Sequence, residues 1–153
     1  MYNDTVTIFC RYQSKLGDMW YPFVLHNVDV NTDKASIIAK YGTDASDNAQ
    51  LHIKYQFRDG AKMIGDKKWL PPKEWDRQTN DQLSDTITFT GGENFDFFWI
   101  GEWTGDIPIA DDDPQWSRKG FFAEMNSRYD YVFAITSVGG PYSVIPHFEI
   151  LGK

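Results

Sequence analysis

Short runs in which apolar and polar residues alternate are the feature that most constrains the fold of this chain. Such runs occupy residues 5–12, 51–57 and 85–90. Alternation places the apolar side chains on one face of an extended strand, because successive side chains point to opposite sides of a sheet. Strands of this kind need a second layer to cover their apolar faces. The pattern therefore predicts a mainly β protein.

Turn signals separate these runs and divide the chain into short strands. Asp59-Gly60 predicts a hairpin turn, because glycine adopts positive φ at little cost. Residues 139–141, Gly-Gly-Pro, predict a second turn before the last strand, and residues 15–18 predict another near the start. The alternation slips after Leu25, which predicts a β-bulge near His26-Asn27.

Two further segments complete the predicted secondary structure. Trp116, Phe121 (or Phe122) and Met125 have approximately helical spacing, which predicts an α-helix over about 115–129. Residues 35–39 read as a short strand. We predict one domain over residues 1–153: an antiparallel β-barrel or sandwich with that one inserted α-helix.

Charge and cysteine content narrow the classes of function. The chain has 22 acidic and 15 basic residues and a net charge of -7, which argues against tight nucleic-acid binding, because phosphate contacts need clustered Lys and Arg. Cys10 is the single cysteine, which excludes a disulfide framework and a Cys-based zinc site, and we expect it to be buried. We also expect no signal peptide and no membrane partner, because no apolar run approaches the roughly 18–20 residues of a bilayer span.

Motifs of common catalytic centres are missing from the sequence. It contains no Gly-x-Ser-x-Gly elbow, no P-loop and no Gly-x-Gly-x-x-Gly. The histidines lack metal-ligand spacing; we expect His52 on the solvent face of a strand and His147 in a structural role. We therefore expect no Ser-based hydrolysis and no phosphate-binding loop, and we predict no metal and no cofactor.

Acidic residues and tryptophans give the candidate surface. Carboxylates beside aromatic platforms are typical of glycosidases, and an oxygen-rich loop can hold calcium, but an acidic surface loop is the favoured interpretation of residues 102–113. Trp69 and Trp75 flank Pro71-Pro72. We favour simple packing of this turn over the alternative, in which the two tryptophans form a rigid surface for docking a partner. The candidate interface residues are Trp69, Trp75, Trp103, Asp111, Asp112 and Asp113.

Six segments share one resemblance that spans most of the chain. They are residues 4–12, 20–28, 68–75, 85–89, 130–138 and 147–150. Together they resemble the small neck proteins of long-tailed bacteriophages and prophages of Gram-positive bacteria, which are called head-closure, stopper, head–tail connector or minor capsid proteins. The chain is longer than the usual stopper.

The resemblance implies a β-barrel-like virion protein without enzyme activity. Such a protein is made in the bacterial cytoplasm and assembles as a homo-oligomeric ring between the portal and the tail, in contact with other neck and tail proteins. An acidic ring would also let DNA pass, because like charges repel. The alternatives are a carbohydrate-binding β-sandwich module and another tail component, such as a tail terminator or tail-completion protein.

Overall fold

The computed structural model describes residues 2–116 and 118–153. In these ranges the chain forms eleven strands and three short helices. In chain order they are β1 (Asp4–Ser14), β2 (Gly17–Asn31), α1 (Lys34–Tyr41), β3 (Ala49–Lys54), β4 (Gln56–Arg58), β5 (Ala61–Ile64), β6 (Lys67–Trp69), α2 (Pro72–Asp76), β7 (Thr86–Ile87), β8 (Phe97–Trp99), β9 (Ile109–Ala110), α3 (Phe121–Arg128), β10 (Val132–Tyr142) and β11 (His147–Gly152).

Six of the strands pair in a closed ring. β1 pairs with β2 and β8, β8 with β10, β10 with β11, β11 with β3, and β3 with the far end of β2, always antiparallel. Because the last pairing returns to β2, the large sheet closes on itself as a barrel. β9 adds to β2 from outside the ring. The predicted mainly β, antiparallel fold is confirmed.

A second, smaller sheet of β4, β5, β6 and β7 packs beside the ring. β4 and β5 form the hairpin predicted at Asp59-Gly60, where both residues have positive φ (53° and 80°). β6 and β7 pair in parallel. Buried Ile64 and Ile87 join this sheet to the core of the ring.

β1 is buried on both faces and so connects two hydrophobic clusters. Val6, Ile8 and Cys10 face the cluster inside the ring, as their alternation predicts. Phe9 points outward, where its ring stacks on Phe97 with centroids 4.6 Å apart. The outer cluster needs a cover because the ring alone would leave these aromatic side chains in water.

Helix α3 and the acidic loop before it cover this outer cluster. Phe121 and Met125 are the buried residues of α3, and Phe121 contacts the rings of Phe9, Trp103 and Trp116 edge-on. Aromatic pairs in this geometry add about 0.5–1.5 kcal/mol beyond the area they bury. Helix α3 therefore serves as a lid on the outer face of the barrel.

The bulge predicted near His26-Asn27 is confirmed. Leu25 pairs with Val6, but the next pairing joins Val28 to Asp4, so β2 has one residue more than β1 between these points. Asn27 has a φ of 60°, which asparagine tolerates better than most residues. Beyond the bulge, residues 29–31 of β2 pair with β3.

Three sequence-based assignments were wrong. Residues 35–39 belong to a helix, α1, because Asp33 caps it by accepting a hydrogen bond from the Ala35 amide at 3.0 Å. The helix predicted over 115–129 covers only Phe121–Arg128, after Gly120 at a φ of 95°; Ser117 of that range lies outside the described residues. Residues 139–141 continue β10, and the turn follows at 143–146. No helix in the described ranges is long and apolar enough to span a membrane.

Phe148 tests the packing of the small sheet on the ring. Its buried ring contacts those of Tyr55, Trp69 and Phe89 at 5.0–5.4 Å. We expect Phe148→Ala to lower the free energy of unfolding by about 3–5 kcal/mol, because it removes these contacts and leaves a cavity. Chemical denaturation measures this. The exposed control Lys68→Ala should change it by about 0.5 kcal/mol or less, and a loss below about 1 kcal/mol in Phe148→Ala would contradict the packing.

Candidate functional site

A cluster of polar side chains lies across β2, β3, β11 and α1. Its centre is Glu149 Oε1, which lies 3.4 Å from His52 Nε2, 3.7 Å from His147 Nε2 and 3.3 Å from Lys40 Nζ. His52 Nδ1 lies 3.5 Å from Asp29 Oδ2 on its other side. Strand register brings these groups together, because Glu149 pairs with His52 and His52 with Asp29.

Electrostatics stabilise the charged form of Glu149. Partial burial raises the pKa of this carboxyl, but the hydrogen bond from Lys40 and the charges of Lys40, His52 and His147 offset that effect, so its pKa is below the ordinary value. Within the described ranges no group of three His, Cys, Asp or Glu side chains could hold a metal ion. The cluster therefore acts as an ion-pair network that ties α1 to the wall of the ring.

His52 differs from its sequence-based interpretation, whereas His147 fits its interpretation. His52 was expected on a solvent face, yet its side chain is only 21% exposed and contacts Glu149 and Asp29. His147 Nδ1 lies 2.5 Å from the carbonyl oxygen of Ile145, which fits its expected structural role. The sequence gives no local signal for this cluster, since its members are up to 120 residues apart (from Asp29 to Glu149).

The acidic loop is a structural element of the outer cluster. Asp111 Oδ1 accepts hydrogen bonds from Trp20 Nε1 at 2.8 Å and from the Phe121 amide at 3.0 Å. Asp113 Oδ1 accepts from the Gln115 amide within its own turn, whereas Asp112 is exposed. Trp103 is half-buried, and its Nε1 donates to the Asp106 carbonyl oxygen. Asp111 thus fixes the loop and the start of α3 against β2.

The flanking tryptophans of the Pro71-Pro72 turn pack inward. Trp75 is 1% exposed, its Nε1 donates to the Thr86 carbonyl oxygen at 2.9 Å, and its ring contacts Tyr12 and Tyr21. The choice of Trp75 as a candidate interface residue is therefore wrong, because the side chain is buried. Its burial fits the favoured interpretation, which is packing of the turn. Trp69 is half-buried against Phe148. None of the six tryptophans, all of which lie in the described ranges, is exposed.

A buried carboxyl was missed by the sequence-based prediction. Asp96 is 1% exposed, and its two oxygens accept hydrogen bonds from the amides of Arg11 and Thr90, both at 2.8 Å. Burial raises the pKa of Asp96 to about 8, although these amides and the Arg11 charge act to lower it. A lone aspartate inside the apolar run 95–100 is the sequence signal that could have revealed it.

Cys10 lies in the core, where its thiol is unsuited to nucleophilic attack. Its side chain is fully buried, and its Sγ donates to the Thr88 carbonyl oxygen at 3.1 Å. Burial raises the pKa of this thiol well above its ordinary value, so the thiolate needed for nucleophilic attack is disfavoured. The predicted buried position of Cys10 is confirmed.

Apolar side chains are exposed at the ends of two long hairpins. Leu16, at the tip of the β1–β2 hairpin, is 95% exposed. Val144 and Ile145, in the β10–β11 turn, are 96% and 70% exposed. Exposed Phe57 contacts the ring of Tyr55, whose OH donates to the carbonyl oxygen of exposed Tyr142. We call Phe57, Tyr142, Val144 and Ile145 the hairpin-end patch; Leu16 is not part of it.

A groove of about 620 Å³ lies between β2 and the turn that joins β5 to β6. Its lining includes Phe23, Leu25 and Ile64, and Ile107 lies at its rim with an exposed side chain. The groove and the two hairpin ends are surface features that packing within the barrel does not explain. Clefts and exposed apolar groups of this kind are typical of binding surfaces.

One comparison with known proteins places the chain in a family. A family model matches residues 1–153. The chain belongs to the family of unknown function DUF6751. No curated protein and no solved structure matches this DUF6751 chain.

Asp111 and Asp112 of the DUF6751 chain form a matched pair for a test. We expect Asp111→Ala to lower the free energy of unfolding by about 2–4 kcal/mol, because it leaves Trp20 Nε1 and the Phe121 amide without an acceptor. Asp112→Ala should change it by about 0.5 kcal/mol or less, since Asp112 is exposed. Denaturant titration of both variants measures this, and equal losses would contradict the structural role of Asp111.

Asp96 predicts an unusual pH dependence. A folded-state pKa of about 8, above the ordinary value of 3.8, means that the folded protein holds this proton more tightly than the unfolded chain. The contribution of Asp96 protonation to the free energy of unfolding is therefore complete below about pH 4 and is lost as the pH rises towards 8. Asparagine does not titrate, so we expect the stability advantage of the wild-type protein over Asp96→Asn to shrink as the pH rises from 5 to 9.

Urea denaturation of both proteins at several pH values measures this difference. Comparing the two proteins at each pH cancels the titration of the other groups. An advantage that grows with pH, or stays constant, would show that Asp96 is ionised in the folded protein at neutral pH.

Proposed function

We propose that this chain is a virion structural protein, a head–tail connector or head-closure component of a long-tailed phage or prophage. It assembles as a ring between the portal and the tail, in contact with other neck and tail proteins. It is made in the host cytoplasm, becomes part of the virion and works without catalysing a reaction.

The observation that carries this proposal is the exposure of apolar side chains at the ends of two hairpins. Leu16, Val144 and Ile145 are 70–96% exposed, while most of the large aromatic side chains of the barrel are buried. Burying one such side chain contributes about 1.5–3 kcal/mol, which the isolated chain does not gain. Contacts with other subunits would gain it, as expected of a protein that works in an assembly.

The charge of the chain supports the same proposal. A ring around the DNA path has to admit DNA without binding it tightly, and a net charge of -7 repels the phosphate backbone. The segments over residues 4–12, 20–28 and 130–138, which resemble phage neck proteins, fall largely in β1, β2 and β10, three strands of the barrel.

The carbohydrate-binding alternative has less support from the side chains. Sugar rings stack on exposed aromatic platforms, and the tryptophans that suggested this alternative are buried or half-buried in the described ranges. The acidic loop near these tryptophans is held in place by Asp111, which accepts hydrogen bonds from Trp20 and Phe121. The connector is therefore the function that we propose.

Quantitative mass spectrometry of purified tailed particles from the source strain tests the proposal. We expect the chain at a low copy number, far below that of the major capsid protein. A variant with Val144→Asp and Ile145→Asp should fold with wild-type stability but be at least tenfold depleted from particles, because charged groups would have to be desolvated in the contact.

Ser143→Asp is the matched control, since it adds a charge at an exposed position of the same turn. We expect this variant in particles at the wild-type level. Absence of the wild-type chain from complete tailed particles would overturn the proposed function. Normal incorporation of the double variant would show that the β10–β11 turn is not a contact.

A further inference from the structure

A small polar cavity of about 270 Å³ lies beside the last residues of β1. Its lining comes from β1, from α2 and from residues 90 and 94, and it shares no lining residue with the groove beside β2. The charged residues of the lining are Arg11, Lys73 and Asp76. Because pockets for drug-sized ligands have volumes of roughly 300–1,000 Å³, this cavity fits a smaller ligand.

The guanidinium of Arg11 has no hydrogen-bond acceptor among the described residues. The Arg11 side chain is only 17% exposed, and its Nε is buried without a partner. The nearest carboxylate oxygen, Asp18 Oδ2, lies 4.0 Å from Nη1, which exceeds the roughly 2.7–3.2 Å of a hydrogen bond. Desolvated donors without acceptors cost free energy, so buried polar groups are normally hydrogen-bonded. Arg11 therefore brings to the cavity a guanidinium whose donors the described residues leave unbonded.

Aromatic rings hold this guanidinium in position. The Cζ atom of Arg11 lies 4.6 Å over the ring of Trp20 and 4.7 Å over the ring of Phe95. The Arg11 amide donates to Asp96 Oδ1 at 2.8 Å, which fixes the backbone of the same residue. Because the cation–π contacts position the guanidinium before a ligand arrives, binding costs less side-chain entropy.

The other polar groups of the lining add further hydrogen-bond donors. Lys73 is exposed and has no ion pair among the described residues. Gln13 Nε2 donates to Asn94 Oδ1 at 3.2 Å, which leaves the amide N–H groups of Asn94 free of this contact. Asp76 is the one carboxylate of the described lining. The cavity therefore presents mainly donors and suits a ligand that supplies acceptors.

The charges around the cavity favour an anion with a single negative charge. Two positive charges and one negative charge give the lining a net charge of +1. Burial raises the pKa of Asp96 to about 8, so this neighbour of Arg11 does not offset the positive charge at neutral pH. Asp18 lies outside the lining and offsets part of the Arg11 charge without bonding to it. A dianion would be repelled by Asp18 and Asp76, whereas a monoanion balances the lining.

We propose that this cavity, which we call the Arg11 cavity, binds a small carboxylate. The carboxylate oxygens accept hydrogen bonds from the guanidinium of Arg11, and Lys73 supplies a second positive charge. A carboxylate suits Arg11 better than a spherical anion, because its two oxygens match the planar fork of the guanidinium. Binding at this site does not depend on ring assembly, so the proposal goes beyond the connector function.

Titration of the isotopically labelled full-length chain with acetate, at constant ionic strength, tests the site. Nuclear magnetic resonance follows the indole N–H signals of the six tryptophans. We expect saturable shifts at Trp75, which lines the cavity, and at Trp20, whose ring contacts Arg11, but not at Trp99. Acetamide, the neutral isostere of acetate, should cause no saturable shift. No saturable response to acetate, or an equal response to acetamide, would overturn the proposal.

Two exposed residues of the lining test the charge selection. Lys73→Gln should weaken acetate binding about threefold, and Asp76→Asn should strengthen it about threefold, because each removes one solvent-screened charge beside the ligand. Lys68→Gln is the matched control, since Lys68 is exposed and lies outside the lining; it should bind acetate as the wild-type protein does. Wild-type affinity in Lys73→Gln, or weaker binding in Asp76→Asn, would contradict binding in this cavity.

Arg11→Lys separates the geometry of the guanidinium from its charge. Lysine keeps the positive charge but cannot donate two parallel hydrogen bonds to one carboxylate, so we expect at least tenfold weaker acetate binding. Urea denaturation shows whether this variant is folded. Wild-type affinity in the folded variant would reject Arg11 as the binding group. Should the variant fail to fold, the comparison of acetate with acetamide and the Lys73 and Asp76 variants decide the proposal.

Discussion

Burial of β1 on both faces is the constraint on which the rest of the structure depends. Ile8 and its neighbours fill the inside of the ring, while Phe9 forms the centre of an aromatic cluster on the outside. The second cluster requires a lid, which α3 and the Asp111 loop supply. The acidic loop and the tryptophans around it are thereby used for packing, and the surface features that this packing leaves exposed include the hairpin ends and the groove.

Sequence patterns over a few neighbouring residues predicted several strands correctly, and reliance on such patterns also caused the wrong assignments. Alternation identified β1 and β3, and the slip after Leu25 identified the bulge, because these signals depend on neighbouring residues alone. Residues 35–39 were misread because the cap at Asp33 outweighs the β propensity of Ile37 and Ile38. Trp75 illustrates a different limit: whether an aromatic side chain beside a turn is exposed depends on the surface that the turn packs against.

The groups brought together by strand register could not be predicted. Glu149, His52 and Asp29 meet because β11, β3 and β2 are neighbours in that order, and sequence alone does not specify strand order. Asp96 is held by amides from two distant segments. The groove likewise depends on which strands are neighbours, because its lining combines residues of β2, β3 and the turn between β5 and β6.

Cryo-electron microscopy of the neck of purified tailed particles tests the central claim most directly, which is that the exposed hairpin ends are assembly contacts. The account predicts a ring of copies of this six-stranded barrel between portal and tail, with Leu16 and the hairpin-end patch buried against neighbouring subunits. A neck without this barrel, or a ring in which those side chains remain in solvent, would contradict the account.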